Sequence, residues 1–178
     1  MCVICFIPKG VKTPSYTMLK AMHMANPHGM GFCTPTKFVK GLSFDYFVEQ
    51  LRKRSVSEPC ILHFRLATHG SIRKANCHPF RKNGVCFAHN GILGITPIGD
   101  KTDSETAFIR YLYPSVEHYG LYSRELADIV GDIIGSSKFA FMQGRDVRLF
   151  GHFEEMDGCF YSNLRFTYYI PSMHPFCF

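Results

Sequence analysis

Apolar residues recur along the chain with two periods, and the switches between them mark the elements. Residues 2–7, Cys2-Val3-Ile4-Cys5-Phe6-Ile7, make a short unbroken apolar run stopped by Pro8, which reads as a buried strand. Over residues 14–25, Met18, Leu19, Met22 and Ala25 fall at helical spacing, and Asn26-Pro27 ends the pattern. Gly29-Met30-Gly31-Phe32 leads into a hairpin that ends near Gly41. Ser43 can cap a helix running to about Arg54, with Phe44, Phe47 and Leu51 on one side. Pro59 to Ala67 reads as a buried strand and Val85 to His89 as another.

The second half opens with Thr102-Asp103-Ser104-Glu105, which has capping-box spacing for a helix through Phe108 and Leu112. A further helix follows Ser123, with Leu126, Ile129, Val130 and Ile133 facing inward. Short alternating stretches close the chain: Phe139 to Met142, Val147 to Phe150, Cys159 to Tyr161 and Phe166 to Ile170, with Gly144-Arg145-Asp146 as a hairpin turn. Strands, a helical middle and a second run of strands favour a layered α+β protein with antiparallel sheets over a doubly wound parallel one.

Composition narrows the class without changing this picture. The chain has 178 residues, enough for one sizeable core, and its 46% hydrophobic and 19% charged content exclude a disordered or fibrous chain. No apolar run is long enough to span a membrane, and the first residues lack the basic region of a signal peptide, so the expected home is the cytoplasm. The net charge of +6 is spread out. Its densest cluster, Arg52-Lys53-Arg54, sits at a helix end where cations suit the dipole, so no nucleic acid partner is expected. Eight cysteines without a compact framework read as reduced thiols.

Four features carry candidate chemistry, each with a plain structural alternative. Cys2 would carry its own α-amine once Met1 is removed. An amine with a pKa of ~7.7–8.0 beside a thiol of ~8.5 joins base and nucleophile in one residue. The alternative is a buried strand cysteine. Arg65 stands within an apolar strand, where its planar fork needs an anion, whether a ligand carboxylate or a structural partner. Asn90-Gly91 follows a strand, as a tight turn does, yet an asparagine amide beside a glycine N–H also builds an oxyanion hole. Asp103 begins a helix, where it can complement the dipole or hold a substrate ammonium. His63, His69, Cys77, His78, Cys86 and His89 are crowded, but none forms a standard ligand pair, and no metal is expected.

Taken together, the N-terminal Cys2, the Arg65 to Gly70 segment (Arg-Leu-Ala-Thr-His-Gly), Asn90-Gly91 and Asp103 resemble, in order, the glutaminase domain of class II glutamine amidotransferases. Asn76-Cys77-His78-Pro79 is similar to the family's Asn-x-His-Pro, and Gly158 to Asn163 resembles a strand ending of its smaller stand-alone members. The chain departs from the pattern in Val3, where many members have glycine, and in His28, which stands where the family's Asn-x-Asp-Gly-x-Gly has an acid. It also has no tryptophan. The resemblance implies a four-layer αββα N-terminal nucleophile hydrolase sandwich with two antiparallel sheets, as a single domain over 1–178. It implies glutamine as substrate and no cofactor. Arg65 and Asp103 would take the α-carboxylate and α-ammonium, and Thr68 and His69 would shape the pocket. Cys2 would form a thioester, with Asn90 and Gly91 as oxyanion donors. No residues are left over for a synthase domain, so ammonia would pass to a separate synthase subunit or be released by a simple glutaminase. The alternatives are another N-terminal cysteine amide hydrolase and an inactive binding or regulatory module on the same fold.

Overall fold

Two antiparallel sheets form because the strands alternate apolar residues to two different buried faces. In the computed structural model, which describes residues 1–67 and 70–171, ten strands are divided six and four. The larger sheet is built from β1 (Val3–Ile7), β2 (Met30–Cys33), β3 (Phe38–Gly41), β4 (Cys60–Phe64), β9 (Glu154–Met156) and β10 (Cys159–Tyr161), in the order β3-β2-β4-β1-β10-β9. The smaller holds β5 (Phe80–Lys82), β6 (Val85–Asn90), β7 (Lys138–Gln143) and β8 (Asp146–Phe150), in that order. The α+β expectation and the two antiparallel sheets are thus found as read from the sequence.

Residue parity decides what each face meets. Val3, Cys5 and Ile7 of β1 face a cluster with α1 (Tyr16–Ala25) and α2 (Phe44–Arg52), while Ile4 and Phe6 face the other sheet. In the smaller sheet, Val85 and Phe87 pack on the second helical layer, and Cys86 and Ala88 face inward. The inter-sheet layer mixes small side chains, Cys33, Cys86, Ala88 and Ala140, with larger ones such as Ile4, Ile61 and Phe6. The second helical layer holds α3 (Asp103–Ala107), α4 (Tyr113–Tyr119) and α5 (Arg124–Ile134). The result is four layers in the order helices, sheet, sheet, helices. Among the described residues no helix is long and apolar enough to cross a membrane.

The caps expected at Ser43 and Thr102 are found, and Ser15 and Ser123 cap in the same way. Ser15, Ser43, Thr102 and Ser123 each accept a hydrogen bond from the backbone N–H three residues on, opening α1, α2, α3 and α5. Other features differ from expectation. The helix expected to end near Leu112 runs on, through a π-helical turn at Phe108–Leu112, into α4. Pro114 lies in the first turn of α4, where a missing N–H is tolerated. Phe166 to Ile170 is not a strand but part of a 3₁₀ turn at Arg165–Tyr169. Its two buried residues, Phe166 and Ile170, are four apart and pack on α1 and β10, a helical spacing rather than an alternation. Arg54, read as part of a helix-end cluster, lies beyond α2 and is buried, donating to the carbonyls of Val11 and Glu58 and to Thr13 Oγ1. The seven described cysteines are all free thiols.

Candidate active site

Cys2 precedes β1, and the parity of that strand turns its side chain toward the gap between the sheets. There it meets the end of β4. The Leu66 N–H donates to Cys2 Sγ at 3.4 Å, and the sulfur lies 3.5 Å from the Leu66 carbonyl. Burial pushes the Cys2 thiol above its ordinary value. The Leu66 N–H, the chain's amino terminus and the Arg65 guanidinium all pull it back down.

The same strand end carries Arg65, which is buried and whose guanidinium Nη1 donates to the Ser71 carbonyl at 3.0 Å. The Asn76 amide shares that carbonyl at 2.9 Å, so the loop after β4 is tied to the Asn76 to Pro79 segment. Glycines make room for this packing. A Cβ at Gly31 would lie 2.4 Å from the His78 carbonyl oxygen, and one at Gly29 would lie 2.4 Å from Cys77 Sγ. The sequence departure at His28 also has a structural role. The Ala67 N–H donates to His28 Nδ1 at 2.9 Å, and the backbones of His28, Gly29 and Arg65 continue the β2–β4 ladder. An imidazole nitrogen there accepts a hydrogen bond, as a carboxylate could. Thr68 and His69 lie outside the described residues.

On the facing sheet, neighbouring residues of β6 turn to opposite sides. His89 faces the helical layer, where its Nδ1 lies 2.7 Å from Ser104 Oγ. The Ser104 hydroxyl donates to Asp103 Oδ1, so His89 Nδ1–H is the donor to Ser104. Asp103 Oδ1 also accepts from the Ser104 N–H at 2.7 Å, and Oδ2 accepts from the Leu93 N–H at 3.1 Å. Asn90 faces inward, and its Nδ2 donates to Ser162 Oγ at 2.9 Å. Gly91 has φ +145°, and a Cβ there would lie 2.1 Å from Ser137 Oγ.

These elements enclose one pocket of about 300 Å³, lined by Cys2, Arg65, Gly91 and Asp103 together with His78 and His89. It is of the size that takes a small ligand. Four of the sequence candidates therefore share it. Asn90 is buried and is not among its described lining residues. Ser162 and Asn163 were named only as part of a strand ending, yet both touch the segment that carries Cys2. Ser162 exchanges hydrogen bonds with both the N–H and the carbonyl of Ile4, and Asn163 Nδ2 donates to the Cys2 carbonyl at 2.9 Å. A polar pair directly after an apolar strand, aligned with the chain start, was their only signal.

Beneath the pocket, His63, His78 and His89 form a buried group. His63 Nε2 donates to the His89 carbonyl across the sheets at 3.1 Å, and the His63 and His78 rings are 4.4 Å apart. Burial lowers His89 to about 4 and His63 to about 3, so these imidazoles are neutral at ordinary pH. Among the described residues no cluster of three or more His, Cys, Asp or Glu side chains is placed to hold a metal ion.

The stack of helices, sheet, sheet and helices is the fold of the N-terminal nucleophile hydrolases. Two solved structures match it across 96% of this chain. One is the glutamine phosphoribosylpyrophosphate amidotransferase from B. subtilis complexed with ADP and GMP, with TM-score 0.62 and 17% identity. The other is an allosteric regulatory enzyme of purine biosynthesis, with TM-score 0.58 and 14% identity. Residues 45–156, more than half of the chain, match the family described as glutamine amidotransferases class-II, and the chain belongs to that family. A probable glutamine amidotransferase of Saccharomyces cerevisiae, DUG3, is 30% identical over 79 residues, covering 35% of this chain and 22% of the yeast protein. The chain spans 43% of the length of each of the two solved chains.

Proposed function

We propose that this protein hydrolyses the side-chain amide of glutamine through Cys2 and releases ammonia. The observation that carries the reading is the single small pocket lined by a thiol, a buried guanidinium, a carboxylate and a glycine backbone. A free amino acid has one α-carboxylate and one α-ammonium, and Arg65 and Asp103 match these two charges. The Asp103 carboxylate offers about four lone-pair sites. Three donors of its own surroundings use part of that capacity, leaving room for an ammonium. Thr68 and His69 are the remaining proposed substrate-binding residues.

The proposed chemistry needs Met1 removed, and Met1 is half exposed. The α-amine of Cys2 takes the thiol proton as Sγ attacks the side-chain carbonyl carbon. The oxyanion is stabilised by the Gly91 N–H and the Asn90 amide, each worth ~3–4 kcal/mol. The amine passes its proton to the leaving nitrogen, the C–N bond breaks, and ammonia departs. Water then attacks the γ-glutamyl thioester, releasing glutamate and restoring the thiol. The ammonia passes to a separate synthase subunit or is simply released, and a pull-down combined with an ammonia assay with and without the captured partner distinguishes the two. Cys2→Ala is expected to abolish ammonia release with the fold intact by circular dichroism. Unchanged turnover, or a mature protein whose mass retains Met1, would sink the mechanism.

A further inference from the structure

Ser162 stands at a junction that the proposed chemistry does not use. It is buried at the end of β10, its backbone N–H donates to the Ile4 carbonyl, and its Oγ accepts from the Ile4 N–H at 2.9 Å. The same Oγ accepts from Asn90 Nδ2 at 2.9 Å. One hydroxyl thus joins the nucleophile's strand in one sheet to the asparagine side chain of the other.

The Asn90 amide has no other anchor among these contacts. Its Oδ1 is buried and has no hydrogen-bond partner. An amide held at one end by a single hydroxyl can sit in either of two orientations, related by a half-turn about its last torsion. As placed, Nδ2–H is given to Ser162 Oγ. After a half-turn, the Ser162 O–H donates to Asn90 Oδ1, the buried oxygen gains its partner, and Nδ2 faces the other way. Both orientations depend on the same hydroxyl, and among the described residues no other hydrogen bond to the Asn90 side chain is present.

We propose that Ser162 is a positioning residue that sets the direction of the Asn90 amide toward the oxyanion formed at Cys2. This deepens the reading above and rests on Asn90 being an oxyanion donor. Because an oxyanion exists only after attack, the loss should appear in kcat rather than in KM, whereas Arg65 and Asp103 govern ground-state binding.

The test uses Ser162→Ala, Asn90→Ala and the double variant in the full chain with glutamine. Ser162→Thr, which keeps the hydroxyl, is the conservative control. Iodoacetamide alkylation of Cys2 reports whether the nucleophile itself has moved. Ser162→Ala is expected to lower kcat about tenfold or more with KM within about twofold, as expected for a defect confined to the transition state. Alkylation should match the parent, Ser162→Thr should recover most of kcat, and the double variant should be no slower than Asn90→Ala alone. Losses that multiply in the double variant would show that Ser162 acts through β1 and overturn the proposal. So would a rise in KM or altered Cys2 alkylation. Full kcat in Asn90→Ala would overturn the oxyanion reading itself, and this proposal with it. A normal Ser162→Ala beside an impaired Asn90→Ala would overturn only the role of Ser162.

Discussion

Arg65 shows how a single residue can be read from sequence only as far as its demand for an anion. A guanidinium in an apolar strand had to meet something, but the strand could not say whether that was a carbonyl of its own chain or a ligand. The structure has it do the first, at Ser71, while lining the pocket where it could do the second. Arg65→Lys keeps the charge and loses the planar fork. In glutamine hydrolysis assays we expect KM to rise by about one to two orders of magnitude, with a smaller change in kcat. An unchanged KM would make Arg65 structural. Cys2 was legible by position, but its contact with the Leu66 N–H was not, because residues 64 apart in sequence leave no local pattern. His28 was legible only as a departure, and its bond to Ala67 gives that departure a physical role.

At the scale of elements, capping chemistry made the helix starts readable, since Ser15, Ser43, Thr102 and Ser123 all cap as their residue type suggests. The strands with apolar runs were readable too. β5 and β9 were not, because Phe80-Arg81-Lys82 and Glu154-Glu155-Met156 are short and largely polar, and only pairing with β6 and β10 makes them strands. The turn after β6 lies between these cases. Asn90-Gly91 could be read as a turn, but the need for glycine comes from Ser137 pressing on the backbone and from φ +145°. Gly91→Ala brings both a clash and a strained backbone. We expect a loss of about 2 kcal/mol or more in chemical denaturation, together with reduced turnover. A fully stable, fully active variant would remove Gly91 from the site.

At the scale of the molecule, the two sheets meet through buried imidazoles as well as through apolar packing. Their titration sets an acid limit on stability. His89 has a folded pKa of about 4 against 6.5 as its ordinary value, and His63 and His78 are lowered in the same direction by burial. Below pH 6.5 the unfolded chain binds protons that the folded chain refuses, so stability is full above 6.5 and falls as the pH drops toward 4. The His89 shift alone, from 6.5 to about 4, is worth on the order of 3 kcal/mol. Denaturation midpoints measured from pH 7.5 to 4.5 should fall, and His89→Asn should flatten the slope. A flat profile in the parent protein would refute the linkage.

The sheet order has a further consequence, for the chain while it is being made. β1 is flanked by β4 on one side and β10 on the other, and Cys5 pairs with Tyr161 while Phe6 pairs with Phe160. The strand that leads from Cys2 is therefore made well before one of its two neighbours, since Ile4 and its partner Ser162 are 158 residues apart. A nascent chain halted before Cys159 has the thiol, the guanidinium and the aspartate, but lacks the edge that fixes the thiol's strand and the hydroxyl that holds Asn90. The proposed hydrolysis would thus wait until β10 has been made and has paired with β1.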